Sequence, residues 1–185
     1  MHLEKYADIF VDWLIESGYT TCFFVAGGNS MHLLNACRIK LRCVPVVHEV
    51  SAGIAAEYFN EVSSDGRAFV LVTAGPGLTN IVTAISGAWL ESRELLVIGG
   101  QVKSTDLATG KLRQRGIQEV NGVAIVESTT KVSQRITTPL SKSKTMFLIN
   151  ESRAPRKGPC FLEICLDVQA APVNRVDLET DTPPS

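Results

Sequence analysis

The chain has 185 residues, of which 45% are hydrophobic and 20% are charged, and 18 basic against 19 acidic residues give a formal net charge of −1. This composition predicts a globular domain and argues against nucleic-acid or membrane-surface binding through bulk charge. The sequence contains no apolar run long enough to span a bilayer, and its N-terminus does not resemble a signal peptide. We therefore expect a cytoplasmic protein with neither a nucleic-acid nor a membrane partner.

Strands and helices are predicted to alternate along the chain. The helices are predicted from apolar spacing and small-residue runs at 3–17, 30–40, 51–61, 78–89, 121–128 and 141–152. The strands are predicted mainly from apolar runs at 21–25, 44–47, 68–73, 95–98, 131–136 and 160–166. Continuous apolar strands are typical of sheets buried on both faces, so the fold class is α/β, with a doubly wound, mostly parallel sheet and helices on both faces.

The domain is expected to cover residues 1–170. Residues 171–185 are mostly polar and finish in Pro183-Pro184-Ser185. This composition predicts a linker tail that leads toward a further, central domain absent from this sequence.

Four loops of unusual composition follow predicted strands, at 26–30, 48–50, 73–80 and 99–101. In open parallel sheets, ligands bind beyond the carboxyl ends of the strands. The topology therefore predicts that these distant loops meet at one rim of the sheet and form a ligand site there.

The glycines at 75 and 77 partly match the dinucleotide-binding pattern G-x-G-x-x-G. Asn80 stands where the third glycine is needed for close packing of helix on strand, and Pro76 removes a backbone donor. The sequence therefore argues against a dinucleotide site.

The cysteines give no indication of a metal centre. No pair has C-x-x-C spacing, and the chain has three histidines, so we expect no metal site in this chain. The odd number and scattered positions favour buried thiols in a reducing compartment. The five cysteines are Cys22, Cys37, Cys43, Cys160 and Cys165.

Glu49 follows the apolar run 44–47 and precedes a helix rich in small residues. Two interpretations are open from position alone. The more common one is a surface glutamate at a helix N-terminus, where the helix dipole favours negative charge. The other is a functional carboxylate, because a charge at the end of a buried strand is costly without a partner.

Several short motifs follow one another along the chain. They are Val25-Ala26-Gly27-Gly28, His48-Glu49, Ala55-Ala56-Glu57, Thr73 to Asn80, Gly100-Gln101, Gln118-Glu119 and Gly158-Pro159. In this order they resemble the N-terminal domain of the acetolactate synthase, pyruvate oxidase and benzoylformate decarboxylase family. The resemblance runs from about Leu3 to Val168.

The resemblance implies a domain that binds the aminopyrimidine ring of thiamine diphosphate. It implies that Glu49 is the catalytic residue and hydrogen-bonds the ring nitrogen N1′, and that Gln118 lies on the substrate side. Turn and helix-cap chemistry would explain several of the other residue types equally well. By resemblance, the cofactor-binding residues are Val25, Gly27, Gly28, Glu49, Thr73, Pro76 and Asn80.

The family's diphosphate-binding motif, which begins Gly-Asp-Gly, does not occur in this sequence. The resemblance therefore implies that a missing diphosphate-binding domain, on the same polypeptide or a separate subunit, holds Mg²⁺ and the diphosphate. It also implies a homo-oligomer of at least two chains, and an isolated chain without turnover.

Three departures from the acetolactate synthase pattern favour a related 2-oxo acid decarboxylase or carboligase. Ala26 replaces a proline, Ile117 replaces a phenylalanine, and Cys165-Leu166-Asp167 replaces Pro-Lys-Asp. The alternative is a non-catalytic binding or assembly module on the same fold, because fold alone does not fix function.

Overall fold

The computed structural model describes residues 3–180, and its centre is a parallel sheet. The strands in chain order are β1 (Glu4–Lys5), β2 (Tyr19–Phe24), β3 (Arg42–Pro45), β4 (Arg67–Val72), β5 (Leu95–Gln101), β6 (Val132–Ile136), β7 (Pro159–Cys165) and β8 (Pro172–Val173). Within the described residues, six of them form one parallel sheet in the order β3-β2-β4-β5-β7-β6.

Helices cover both faces of this sheet. They are α1 (Tyr6–Glu16), α2 (Met31–Lys40), α3 (Glu49–Val62), α4 (Pro76–Glu91), α5 (Gly122–Val126), α6 (Lys142–Asn150), α7 (Leu166–Ala170) and α8 (Arg175–Glu179). Apolar residues of α1, α2, α6 and α7 form the core on one face, and those of α3, α4 and α5 form the core on the other.

Strand β4 shows why the strands are almost continuously apolar. Successive side chains of a strand point to opposite faces. Phe69 and Leu71 belong to the core under α1 and α2, whereas Val70 and Val72 belong to the core under α3 and α4. Because both faces are buried, every position of the strand favours an apolar residue. The doubly wound α/β fold predicted from the sequence is confirmed.

The C-terminal segment differs from the predicted linker tail. Strand β8 pairs antiparallel with β1, and Arg175 donates to Glu4 Oε1 at 2.9 Å and to Asp12 Oδ2 at 2.7 Å. Trp13 Nε1 donates to Glu179 Oε1 at 3.3 Å. Residues 171–180 therefore pack on β1 and α1 through polar contacts. A polar composition alone does not distinguish such a packed segment from a linker. Residues 181–185 lie outside the described part, and the further domain stays a prediction.

Several element boundaries differ from the predicted ones by a few residues. The predicted strand 44–47 is Arg42–Pro45, and the predicted helix 51–61 begins earlier, at Glu49. The predicted helix 121–128 shortens to Gly122–Val126. The shift at α3 matters most, because it places Glu49 in the first turn of a helix and not in the loop before it.

The order of the strands reverses at two places. The chain runs from β2 outward to the edge strand β3 and then returns to β4 on the other side of β2. It later runs from β5 to the opposite edge, β6, and returns to β7 in between. Reversals of this kind open a crevice at the carboxyl ends of the strands.

Across residues 3–180, none of the helices is both long and apolar enough to cross a membrane.

Candidate functional site

The loops after β2 and β4 lie against each other at the first reversal. The backbone N–H of Asn29 donates to Thr73 Oγ1 at 3.3 Å. A Cβ added at Gly27 would lie 2.3 Å from the Cβ of Thr73, so a side chain at 27 would block this approach. By contrast, a Cβ added at Gly28 would have no neighbour within 4 Å. Val25 is half-buried and directly follows β2.

Glu49 lies beside these loops and is a buried residue, with 6% of its surface exposed. It is the first residue of α3, where the positive end of the helix dipole favours a carboxylate. His48 caps the helix, because its Nδ1 accepts a hydrogen bond from the backbone N–H of Val50 at 3.3 Å. This cap fixes the first turn of α3 and therefore the position of Glu49.

Asn80 and Gly77, both on α4, complete the surroundings of the Glu49 carboxyl group. Asn80 Nδ2 donates to Glu49 Oε2 at 2.9 Å. A Cβ added at Gly77 would lie 3.2 Å from Glu49 Oε1 and 2.9 Å from Thr73 Cγ2. The structure therefore brings Glu49, Thr73 and Asn80 together, as predicted from the order of the motifs. It adds Gly77, whose missing side chain lets α4 lie close to Oε1.

Pro76 has a simpler role in this region. It is the first residue of α4, is exposed, and follows Gly75, which has a φ of 66°. Proline suits the first position of a helix because its missing N–H would have no partner there in any case. Its contribution to a ligand site stays a prediction, whereas its contribution to the start of the helix is visible.

Gln118 reaches the same rim from a distant part of the chain. A Cβ added at Gly75 would lie 2.7 Å from the carbonyl oxygen of Gln118, so this backbone packs directly on the loop after β4. Asn29 Nδ2 donates to the carbonyl oxygen of Ile117 at 3.3 Å. The exposed Gln118 has a φ of 61°, a left-handed conformation that is uncommon for a residue other than glycine.

Glu119 organises the long loop that carries Gln118. Its carboxylate accepts hydrogen bonds from the backbone N–H groups of Ala108 at 2.6 Å, Arg115 at 2.8 Å and Gly116 at 3.1 Å. Desolvation acts to raise the pKa of Glu119, but the hydrogen bonds from these backbone donors act against it, and the pKa lies below its ordinary value. One carboxylate thus holds the segment 108–119 together.

A second buried glutamate, which was not among the residues predicted from the sequence, lies at the other reversal. Glu163 of β7 is fully buried. Its Oε1 accepts from Gln101 Nε2 at 2.8 Å, and its Oε2 accepts from Arg135 Nε. Arg135 also donates to Asn121 Oδ1 at 3.0 Å, and Gln101 donates to the carbonyl oxygen of Val120 at 2.9 Å. This network holds the backbone that follows Gln118.

The charge state of Glu163 reflects two opposing effects. Burial raises the pKa of Glu163 above its ordinary value, and the hydrogen bonds from Arg135 and Gln101 act in the opposite direction. The signal for this network was present in the sequence, since a glutamate inside the apolar strand Pro159–Cys165 requires a partner.

The family described as "Thiamine pyrophosphate enzyme, N-terminal TPP binding domain" matches residues 4–125 of the chain. The chain belongs to this family. The matched range includes the whole rim at the first reversal, from Val25 to Gln118, and it ends before Arg135 and Glu163 of the second network.

Known enzymes are similar to this TPP-binding domain over most of the chain. Human 2-hydroxyacyl-CoA lyase 2 is 31% identical over 156 residues, which is 82% of this chain and 23% of that protein. The chloroplastic acetolactate synthase of Arabidopsis thaliana is 31% identical over 168 residues, 90% of this chain and 24% of that protein. Sulfoacetaldehyde acetyltransferase of Castellaniella defragrans is 28% identical over 165 residues, 87% of this chain and 26% of that protein. The chain thus spans about a quarter of the length of these relatives.

Proposed function

We propose that this chain binds the aminopyrimidine end of thiamine diphosphate at the first reversal of the sheet, as one part of an enzyme that decarboxylates or joins 2-oxo acids. The observation that carries the proposal is the carboxyl group of the buried residue Glu49. Asn80 donates to one of its oxygens at 2.9 Å, whereas no described residue donates a hydrogen bond to the other oxygen, Oε1.

The residues at this rim fit a flat heteroaromatic ring with nitrogen acceptors and donors. Glu49 Oε1 is the group that would hydrogen-bond the ring nitrogen N1′. Because Gly27 and Gly77 have no side chain, the loop after β2 and helix α4 both pack directly on the side chain of Thr73. Thr73, Asn80 and the backbone of Gly28 would position the ring against Glu49.

The chain's own contribution to catalysis would be the handling of one proton. When bound, thiamine diphosphate supplies the nucleophilic carbon and the electron sink that 2-oxo acid chemistry requires. Glu49 would hold a proton at N1′, and Asn80 would keep the carboxyl group in the orientation that this hydrogen bond needs. Gln118, exposed beside Gly75, would face the substrate.

The rest of the active site would come from elsewhere. We propose that a diphosphate-binding domain, on the same polypeptide or a separate subunit, holds Mg²⁺ and the diphosphate, and that the enzyme is a homo-oligomer. Two exposed apolar residues next to site residues support a covering partner: Val47 is 99% exposed beside Glu49, and Ile117 is 83% exposed beside Gln118.

The test requires the complete protein that carries this chain, purified from its native source. Its intact mass shows whether the diphosphate-binding domain is on the same polypeptide. The protein is then assayed with thiamine diphosphate, Mg²⁺ and a panel of 2-oxo acids. Because the relatives include a 2-hydroxyacyl-CoA lyase, a 2-hydroxyacyl-CoA belongs in the panel.

Glu49→Gln should lower the rate by about 100-fold or more, as expected for loss of a proton-handling group, without a change in the circular dichroism spectrum. Glu91→Gln is the matched control, because the side chain of Glu91 is 64% exposed at the far end of α4. Full activity in Glu49→Gln would contradict the proposed role. If thiamine diphosphate changed neither activity nor thermal stability, the chain would be a non-catalytic module.

A further inference from the structure

Three of the five cysteines meet at the β3 edge of the sheet. Cys22 in β2 and Cys43 in the edge strand β3 are register partners, and Cys37 lies on α2, which covers the same face. Cys22 and Cys37 are buried, whereas Cys43 is half-buried. One thiol of the cluster is therefore reachable from solvent, and the other two lie directly behind it.

The Cys22 thiol interacts with both Cys37 and Cys43, and its Sγ lies 3.9 Å from the carbonyl oxygen of Phe23. The hydrogen bonds to Cys37 and Cys43, together with burial, raise the pKa of Cys22. In turn, the hydrogen bond from Cys22 lowers the pKa of Cys43 below its ordinary value. A thiolate is the reactive form of cysteine, and Cys43 is also the most exposed of the three thiols, so it is the one placed to act as a nucleophile.

The other two cysteines provide an internal comparison. Cys160 and Cys165 lie in β7, on the far side of β4 and β5 from this cluster. Both are buried, and desolvation raises the pKa of each to about 12. Buried thiols with a raised pKa are inert toward oxidants.

We propose that Cys43 and Cys22 form a redox-active pair, in which a peroxide oxidises Cys43 and Cys22 then closes a disulfide between β2 and β3. Neighbouring strands are about 4.8 Å apart, which lies within the Cα separations of natural disulfides. The two residues are register partners, so the bond requires rotation of side chains and little movement of the backbone.

The chemistry balances with hydrogen peroxide as the oxidant. The Cys43 thiolate attacks the O–O bond, becomes a sulfenic acid by a two-electron oxidation, and releases hydroxide. The Cys22 sulfur then attacks the Cys43 sulfur and displaces the hydroxyl group, which leaves as water with the Cys22 proton. The sum is two thiols and one peroxide giving one disulfide and two waters.

The disulfide would tie together the two strands that lead into the rim described above. Strand β2 continues into Val25 and Gly27, and β3 is followed by Glu49. The thiol reaction itself does not require the cofactor, so it can be tested on the 185-residue chain without any assay of activity.

The first experiment compares thiol reactivity. In the native chain, iodoacetamide should modify Cys43 at least tenfold faster than Cys160 or Cys165. Peptide mass spectrometry measures the extent of modification at each cysteine over time. After treatment with hydrogen peroxide, two of the five thiols should be lost, with the chain remaining a single-chain species on a non-reducing gel. Equal alkylation rates, or thiol loss at Cys160 or Cys165, would overturn the proposal.

Peptide mapping identifies the pair. Trypsin leaves Cys22 and Cys37 on one peptide, 6–38, and Cys43 on another, 43–67. These peptides should be linked in the oxidised chain and in Cys37→Ser, and Cys160→Ser should behave the same as a matched control. The link should be absent in Cys22→Ser and in Cys43→Ser. A link that survives in Cys22→Ser would show that Cys37 is the partner and would overturn the stated pair.

Discussion

The sheet reverses its strand order between β2 and β4 and again between β5 and β7, and a glutamate is buried at each reversal. At the first, Glu49 Oε2 accepts one amide hydrogen bond from Asn80, and Oε1 packs against Gly77 with no hydrogen-bond donor among the described residues. At the second, both carboxyl oxygens of Glu163 accept hydrogen bonds, one from Gln101 and one from Arg135.

Under the proposed function, Glu49 is a carboxyl group placed for a ligand, whereas Glu163 is one that holds the fold. A buried carboxylate whose oxygens are both occupied by a cation and an amide contributes to a fixed network. One whose second oxygen has no hydrogen-bond partner among the described residues can accept a hydrogen bond from a further group. The two glutamates should therefore differ in what their loss does to stability.

Glu163→Gln should produce the larger loss of stability. Removing one partner of a buried ion pair leaves the other charge uncompensated, and we expect a cost of about 3 kcal/mol, at the low end of the usual range. The low end applies because the side chain of Arg135 is 26% exposed. Glu49→Gln should change the free energy of unfolding by less than about 1 kcal/mol, because Asn80 can still pair with an amide.

Urea unfolding of the two variants and of Glu127→Gln, an exposed glutamate, checks this contrast. The comparison between the reversals would be broken if Glu49→Gln lost as much stability as Glu163→Gln. That result would assign Glu49 to the structural framework.

Gly27→Ala tests the packing of the two loops at the first reversal. The added Cβ would lie 2.3 Å from the Cβ of Thr73, which cannot rotate away because it is attached directly to the backbone. Overpacking of this kind should cost about 2 kcal/mol. Gly28→Ala, with no atom within 4 Å of the added Cβ, should stay within about 0.5 kcal/mol of the parent chain. Equal melting temperatures for the two variants would contradict the close approach.

The sheet could be predicted from the sequence because strands that are buried on both faces are continuous apolar runs in the sequence. The sequence also predicts that Glu49, Thr73 and Asn80 lie at one rim, because loops after parallel strands meet there. Gly77 was missed as a site residue, since its role depends on how closely α4 approaches α3. That distance is decided by packing and not by local sequence.

Contacts between distant segments explain the other omissions. Gln101 and Glu163 are 62 residues apart and meet because β7 inserts beside β5, an order that the sequence does not reveal. The three clustered cysteines looked scattered for the same reason. Residues 171–180 have the polar composition of a linker, but their charged side chains find partners in distant parts of the chain. Arg175, for example, donates to Asp12 of α1, 163 residues away.

Gln118 lies between the two reversals, and its backbone conformation offers a smaller test. A residue other than glycine costs roughly 1 kcal/mol or more in the left-handed region, and a β-branched residue costs more. Gln118→Gly should therefore leave the free energy of unfolding unchanged or raise it by up to about 1 kcal/mol, whereas Gln118→Val should lower it by about 1 kcal/mol. Thermal melts of the two variants give the comparison, and a more stable Gln118→Val would exclude the positive φ.

The smallest expected effect concerns acid and the loop that joins the two reversals. Backbone donors lower the pKa of Glu119 in the folded chain, so its contribution to stability is complete above its unfolded value of 4.5 and is lost as the pH falls through the lower folded value. The urea midpoint of the parent chain should therefore decline below about pH 4.5, and Glu119→Gln should show a shallower decline over the same range. Glu127→Gln removes the same charge from an exposed turn nearby and serves as the control. If the decline were equally steep in Glu119→Gln and in the parent chain, the carboxylate would not be what holds the Gln118 loop against the rim.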